Sequence, residues 1–199
     1  MLLVASPTLF AQLTFTKLVC NAVGASKPEQ MTAVNGKTVF FAFDQAHGKE
    51  LWVTNGTQAG TQLLKDINPG TTGSAGIYFA PFNGKLYFNA NDGTHGPELW
   101  VTDGTAAGTQ LVKDINTGAL SSYPYFFTEF NGKLYFNASD GANGAELWVT
   151  DGTNAGTQLV KDIYNGSASA YPFSFSVVNN KLLFYANNAT NGKELWTSD

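Results

Sequence analysis

The chain has 199 residues, a net charge of −4 and 43% hydrophobic residues, enough to bury a core of its own without disulfides or metal. All eleven basic residues are lysines, and the missing arginine fork, with the weak acidity, counts against a nucleic-acid partner. The one cysteine, Cys20, has no mate for an internal disulfide and reads as a small buried apolar residue.

The chain opens on an apolar stretch, residues 1–11, that ends on Ala11. It reads as an extension or the remnant of a secretory signal, although it lacks a basic start and is shorter than the usual ~15–30 residues. A membrane span takes about 20 apolar residues, and no later segment comes closer, so no membrane insertion is expected. Residues 12–199 are expected to form one domain. Its first element, Leu13 to Val19, alternates like a strand but has no neighbour before it.

From there the sequence repeats. Glu50, Glu98, Glu146 and Glu194 stand 48 residues apart, each opening a Glu-Leu-Trp string, and Trp52, Trp100, Trp148 and Trp196 are the four tryptophans of the protein. A repeat of this length decides the architecture before any single residue does. Within a unit the apolar period is two. In the third unit Tyr125 to Phe130 is one strand, and Asn131-Gly132 supplies the tight turn that needs positive φ twice. Lys133 to Ala138 is the second strand, Glu146 to Thr150 the third, and Thr157 to Ile163 the fourth. Asn35-Gly36, Asn83-Gly84 and Asn179-Asn180 occupy the same hairpin turn in the other units.

Four-stranded antiparallel meanders at this spacing predict an all-β fold, a β-propeller of four 48-residue blades; a solenoid of strands is the alternative. The last unit reaches only its third strand, whereas Leu13 to Val19 stands in a fourth-strand slot. The expectation is a ring closed by the N-terminal strand pairing with the last blade, which removes both open edges. Phe15 would then lie beside Trp196 and Lys17 beside Glu194.

The string Glu-Leu-Trp-x-x-Asp-Gly-Thr followed by x-Ala-Gly-Thr resembles the ELWxxDGT repeat proteins. It covers residues 50–61, 98–109 and 146–157, with Asn55 in place of the aspartate in the first copy and a decayed copy at 194–199. Those are mostly secreted or surface-associated bacterial proteins, so the resemblance implies a propeller at the cell surface or outside it. It implies no reaction.

Counting across the six-residue turn sets Trp52 beside Leu63 and pairs Glu50 with Lys65, Glu98 with Lys113 and Glu146 with Lys161 as cross-strand ion pairs. Four equivalent carboxylates argue for a structural role over a catalytic one. The Asp-Gly-Thr-x-Ala-Gly turn offers one carboxylate, too few for calcium, and reads as an aspartate capping its own turn. His47 and His95 hold one slot of the loop between second and third strands. Asn143 and Asn191 fill that slot elsewhere, so it reads as a polar turn position, and no metal or cofactor is expected.

That loop and the connection from fourth to first strand leave a meander on the same side. The connection varies most between units, and variable loops on a rigid frame are where binding resides. Asp92, His95, Asp140 and Asn143 with Tyr123 and Tyr171 are therefore the candidate ligand-binding residues. No nucleophile–base–orienter set is present. The function expected is a non-enzymatic, secreted or surface binding module, monomeric, with a carbohydrate or protein partner and a lectin-like site. The rival is a structural or assembly module of a larger adhesin or homo-oligomer, with a propeller hydrolase third.

Overall fold

A computed structural model describes residues 17–18 and 25–198. The apolar start, Phe15 and Cys20 lie outside the described residues. The first blade comprises β1 (Glu29–Val34), β2 (Lys37–Asp44), β3 (Gly48–Thr54) and β4 (Gln62–Lys65). The second comprises β5 (Ile77–Phe82), β6 (Lys85–Asn91), β7 (Pro97–Thr102) and β8 (Gln110–Lys113). The third comprises β9 (Tyr125–Phe130), β10 (Lys133–Ser139), β11 (Ala145–Thr150) and β12 (Gln158–Lys161), and the fourth β13 (Phe173–Val178), β14 (Lys181–Asn188) and β15 (Gly192–Ser198). Every sheet is an antiparallel meander in chain order, and the described residues contain no helix.

The turns form for the reasons their residues suggest. Asn131 and Gly132 have φ of 50° and 69°, and the other three hairpins share that left-handed pair, which suits the twist of two-residue hairpins. In the next turn Asp103 Oδ1 accepts the Thr105 N–H at 2.8 Å and its hydroxyl at 2.6 Å, while Thr105 Oγ1 accepts the Gly108 N–H. A Cβ on Gly108 would sit 2.1 Å from Asp103 Oδ1, so the glycine is required. The aspartate caps its own turn, and Asn55 and Asp151 do the same.

The core lies between blades rather than inside one. Trp100 of the second blade packs with Val39, Phe41 and Leu51 of the first. Trp148 packs with Phe82, Tyr87 and Leu99, and Trp196 against Phe130 and Leu147. The described first strands contact one another in the order β1, β5, β9, β13. The fourth blade has three strands among the described residues, and no sheet joins it to the first.

The glutamates are not ion-paired across the strand. A register shift between Leu51 and Trp52 keeps Trp52 opposite Leu63 but sets Lys65 opposite Leu51, and the second and third blades repeat it. Glu50, Glu98 and Glu146 are wholly buried. Each turns into the connection after its fourth strand: Glu98 accepts the N–H groups of Ile115 (2.8 Å) and Ser122 (2.9 Å) and the Ser122 hydroxyl (2.6 Å). Glu50 accepts from Ile67 and Asn68, and Glu146 from Ile163 and Ala170. These bonds also end the fourth strand at Lys161, before the expected Ile163, because the Ile163 N–H leaves the ladder. The lysines reach the next blade instead. Lys65 Nζ donates to the Thr109 carbonyl at 2.8 Å and Lys113 Nζ to that of Thr157 at 2.9 Å. Lys17 lines a recess with Phe40, Thr54 and Thr61, one 48-residue step before the Lys65–Thr109 contact.

Candidate functional site

The variable connections sit on the face expected of them. Each folds back onto the strand that follows its own blade's polar loop: the Ser122 N–H reaches the Pro97 carbonyl at 3.1 Å and the Tyr171 N–H that of Ala145 at 3.0 Å. Each is also sewn to the next blade, with Ser139 N–H bonded to Ser122 O and Asn187 N–H to Ala170 O. A connection is thus clamped between two blades, and its side chains are presented at their junction.

Tyr123 and Tyr171 occupy one slot of that connection, at φ of 47° and 49°. Left-handed φ is costly for a bulky residue, yet Lys27 and Ala75 hold the same conformation in the other units. The strain belongs to the connection; the tyrosine side chains are what these two units add. Both are more than half exposed or nearly so, and each precedes a buried proline, Pro124 and Pro172.

The two tyrosines line one cavity of ≈ 660 Å³ at the junction of the third and fourth blades. Its aromatic wall adds Tyr125, Phe126 and Phe173, and its polar groups are Ser121, Ser122, Asn137, Ser139 and Ser169. Tyr125 stacks on Tyr123 with centroids 6.0 Å apart and meets Tyr78 edge-on at 5.2 Å. Phe126 stands 6.4 Å from Phe173. Burial, then the neighbouring Tyr123 and Tyr78, push the Tyr125 hydroxyl above its usual range, so it stays neutral. Asn137 is 5% exposed and its Nδ2 donates to the Pro172 carbonyl at 3.2 Å.

The four polar-loop candidates do not line this cavity. Each pair is consumed within its own turn: His95 Nδ1 lies 2.7 Å from Asp92 Oδ2, and Asn143 Nδ2 donates to Asp140 Oδ2 at 2.7 Å. Burial pushes both aspartates up, but hydrogen bonds from His95 and Asn143 outweigh it and hold them below the usual value. The Asp92 contact raises His95, and Asp44 raises His47 in the same way. Among the described residues no group of three metal-ligating side chains converges.

Tyr125, Phe126, Asn137 and Phe173 were missing from the sequence-based candidates. A signal for them exists. Their slots change from unit to unit: Gln30, Tyr78, Phe126, Ser174 in one and Phe41, Asn89, Asn137, Tyr185 in another. In a chain of near-identical repeats, the positions that break the repeat are those the blade fold itself does not require.

No family model matches the chain, and no curated protein matches it. Solved structures do. A puromycin hydrolase matches at a TM-score of 0.54 with 18% identity, over 82% of this chain and 25% of that one. An acylaminoacyl peptidase of Pyrococcus horikoshii matches at 0.51 with 12% identity, over 85% and 26%. The computationally designed Ika4 protein matches at 0.47 with 19% identity, over 94% of this chain and 100% of that one. This chain spans about a quarter of the length of the two hydrolases. At such identities the likeness to the two hydrolases concerns the fold alone, and it supports propeller-like repeated blades.

Proposed function

We propose that the chain is a non-enzymatic binding module, secreted or held at the cell surface, that takes a carbohydrate in the cavity between the third and fourth blades. The carrying observation is that cavity: exposed tyrosines from two successive connections converge on it together with hydroxyl and amide groups. Aromatic faces accept the apolar side of a sugar ring, and a largely preformed concave site with a few polar groups is the usual form of a small-molecule site. The ELWxxDGT resemblance supports the location. The likeness to hydrolases is one of fold, and fold does not carry activity.

The ring belongs to the same reading. The N-terminal strand completes the fourth blade beside β15 and closes the ring. In support, Leu195 is 61% exposed while Leu51, Leu99 and Leu147 in the same slot are at most 2% exposed. With the register of the other blades, Lys17 then faces Leu195 rather than Glu194, and Phe15 faces Trp196.

A glycan array probed with the chain and with the Tyr123→Ala/Tyr171→Ala double variant tests the site. The chain should bind a restricted set of glycans, and the variant should lose them while melting within a degree or two of the parent, since exposed side chains contribute about ±0.5 kcal/mol. Binding that persists in the variant, or maps to the Asp-Gly-Thr turns, would sink the assignment. The exposed Leu195 and the edge of β15 favour a second reading, an assembly module that pairs with another chain. Light scattering that shows a concentration-dependent oligomer and no glycan binding would select it.

A further inference from the structure

We propose that the occupant of this cavity is an uncharged saccharide of at least two rings, stacked on Tyr123 and Tyr171 with one hydroxyl donated to Asn137. This rests on the carbohydrate reading above and adds the class of carbohydrate. No aspartate, glutamate, lysine or histidine lines the cavity. A ligand carboxylate or sulfate would surrender its water there with no counter-ion, whereas a hydroxyl needs only a hydrogen-bond partner.

The polar groups supply such partners in both senses. Asn137 spends its Nδ2 on the Pro172 carbonyl, which leaves its Oδ1 as an acceptor for a ligand O–H. The hydroxyl oxygens of Ser139 and Ser169 accept the N–H groups of Gly141 at 3.2 Å and Ala145 at 2.9 Å. Their own O–H protons remain to donate to ring or hydroxyl oxygens. Alternating donors and acceptors beside aromatic faces match vicinal hydroxyls on an apolar ring face. At ≈ 660 Å³ the cavity sits in the middle of the ~300–1,000 Å³ range of small-molecule sites, more than a single hexose fills. The cation recorded against a lining ring, Lys193, has its Nζ 5.1 Å from the centre of Phe173 and does not line the cavity.

Saturation-transfer NMR and calorimetry on the full chain test this with cellobiose, lactose and N,N′-diacetylchitobiose, set against cellobiouronic acid and 3′-sialyllactose, all at millimolar concentration. At least one neutral disaccharide should bind, and its acidic counterpart should bind at least about tenfold more weakly, a difference of roughly 1.4 kcal/mol. Tyr123→Ala and Tyr171→Ala should each weaken the neutral sugar by a similar factor with melting unchanged. Acidic sugars that bind as tightly or more tightly, still dependent on the tyrosines, would overturn the uncharged class and leave the carbohydrate reading standing. Loss of that preference in Lys193→Met would identify the counter-ion. If no sugar of either kind binds, both readings fall together.

Discussion

Glu98 is a buried carboxylate held by N–H and O–H donors, and two effects compete there. Burial dominates and pushes its pKa up to about 7 from 4.5, against the hydrogen bonds from Ser122, Ile115 and Asn116. Because the folded value lies above the unfolded one, the stabilising contribution is complete below pH 4.5 and lost as pH rises through about 7. His47 and His95, raised above 6.5 by their aspartates, act in the same direction, their contribution vanishing as pH rises through the raised values. Asp92 and Asp140, held below 3.8, contribute above that value and lose it as acid protonates them. The melting temperature should therefore peak near pH 4.5 and fall as pH rises to about 7, with Glu98 alone accounting for roughly 3 kcal/mol at 1.36 kcal/mol per tenfold change in proton affinity. Calorimetric melts across pH 4–9 check this, and Glu98→Gln should flatten the alkaline limb. A melting temperature that stays level or rises between pH 4.5 and about 7 would refute the account of this carboxylate.

At the scale of the element, one tryptophan packs each described junction between blades, and at the first two a lysine also bonds across it. Trp100→Ala should cost about 3–5 kcal/mol, because the indole fills the junction with the first blade. At about 2–4 °C per kcal/mol for a domain of this size, the melting temperature should drop by on the order of 10 °C. A drop of a degree or two would mean that the tryptophan is not a packing residue. The glycines give a finer test. Gly132→Ala meets open space and pays only for its left-handed φ, roughly 1–2 kcal/mol, whereas a Cβ on Gly96 would sit 2.2 Å from the Leu120 carbonyl. Denaturant melts should place Gly96→Ala well below Gly132→Ala; equal midpoints would contradict the clamp between loop and connection.

These elements were largely legible in the sequence, since period-two alternation and the Asn-Gly pairs fix strands and hairpins locally. The Glu–Lys pairing was not. Alternation identifies one buried face, but a blade packed on both sides buries Glu50 and Leu51 alike, and the register shift between Leu51 and Trp52 leaves no mark in the residue count. The site was half legible. Tyr123 and Tyr171 were found because connections vary, whereas Phe126 and Asn137 lie within strands, where the same variation between units shows only when the repeats are compared slot by slot. Asp92, His95, Asp140 and Asn143 resembled ligand groups, and their own turns consume them.

At the scale of the molecule, the cavity depends on the blade that is least supported. Tyr171 and Phe173 come from the connection into the fourth blade and its first strand, and β15 presents an edge with Leu195 exposed. If the N-terminal strand covers that edge, the far wall of the cavity is fixed; if it does not, the wall frays. Deleting residues 1–22 should therefore weaken sugar binding and lower the melting temperature together. The register Val101–Gln110 and Val149–Gln158 places Thr197 opposite Thr14 in the closed ring. The most direct measurement is the mass, under oxidising conditions without reductant, of the chain carrying Thr14→Cys and Thr197→Cys in a Cys20→Ser background. Closure predicts a disulfide within one chain, monomeric in mass and more stable than the reduced form by roughly 2–4 kcal/mol. A disulfide that forms only between chains would contradict the single-chain ring and make two chains share one larger propeller.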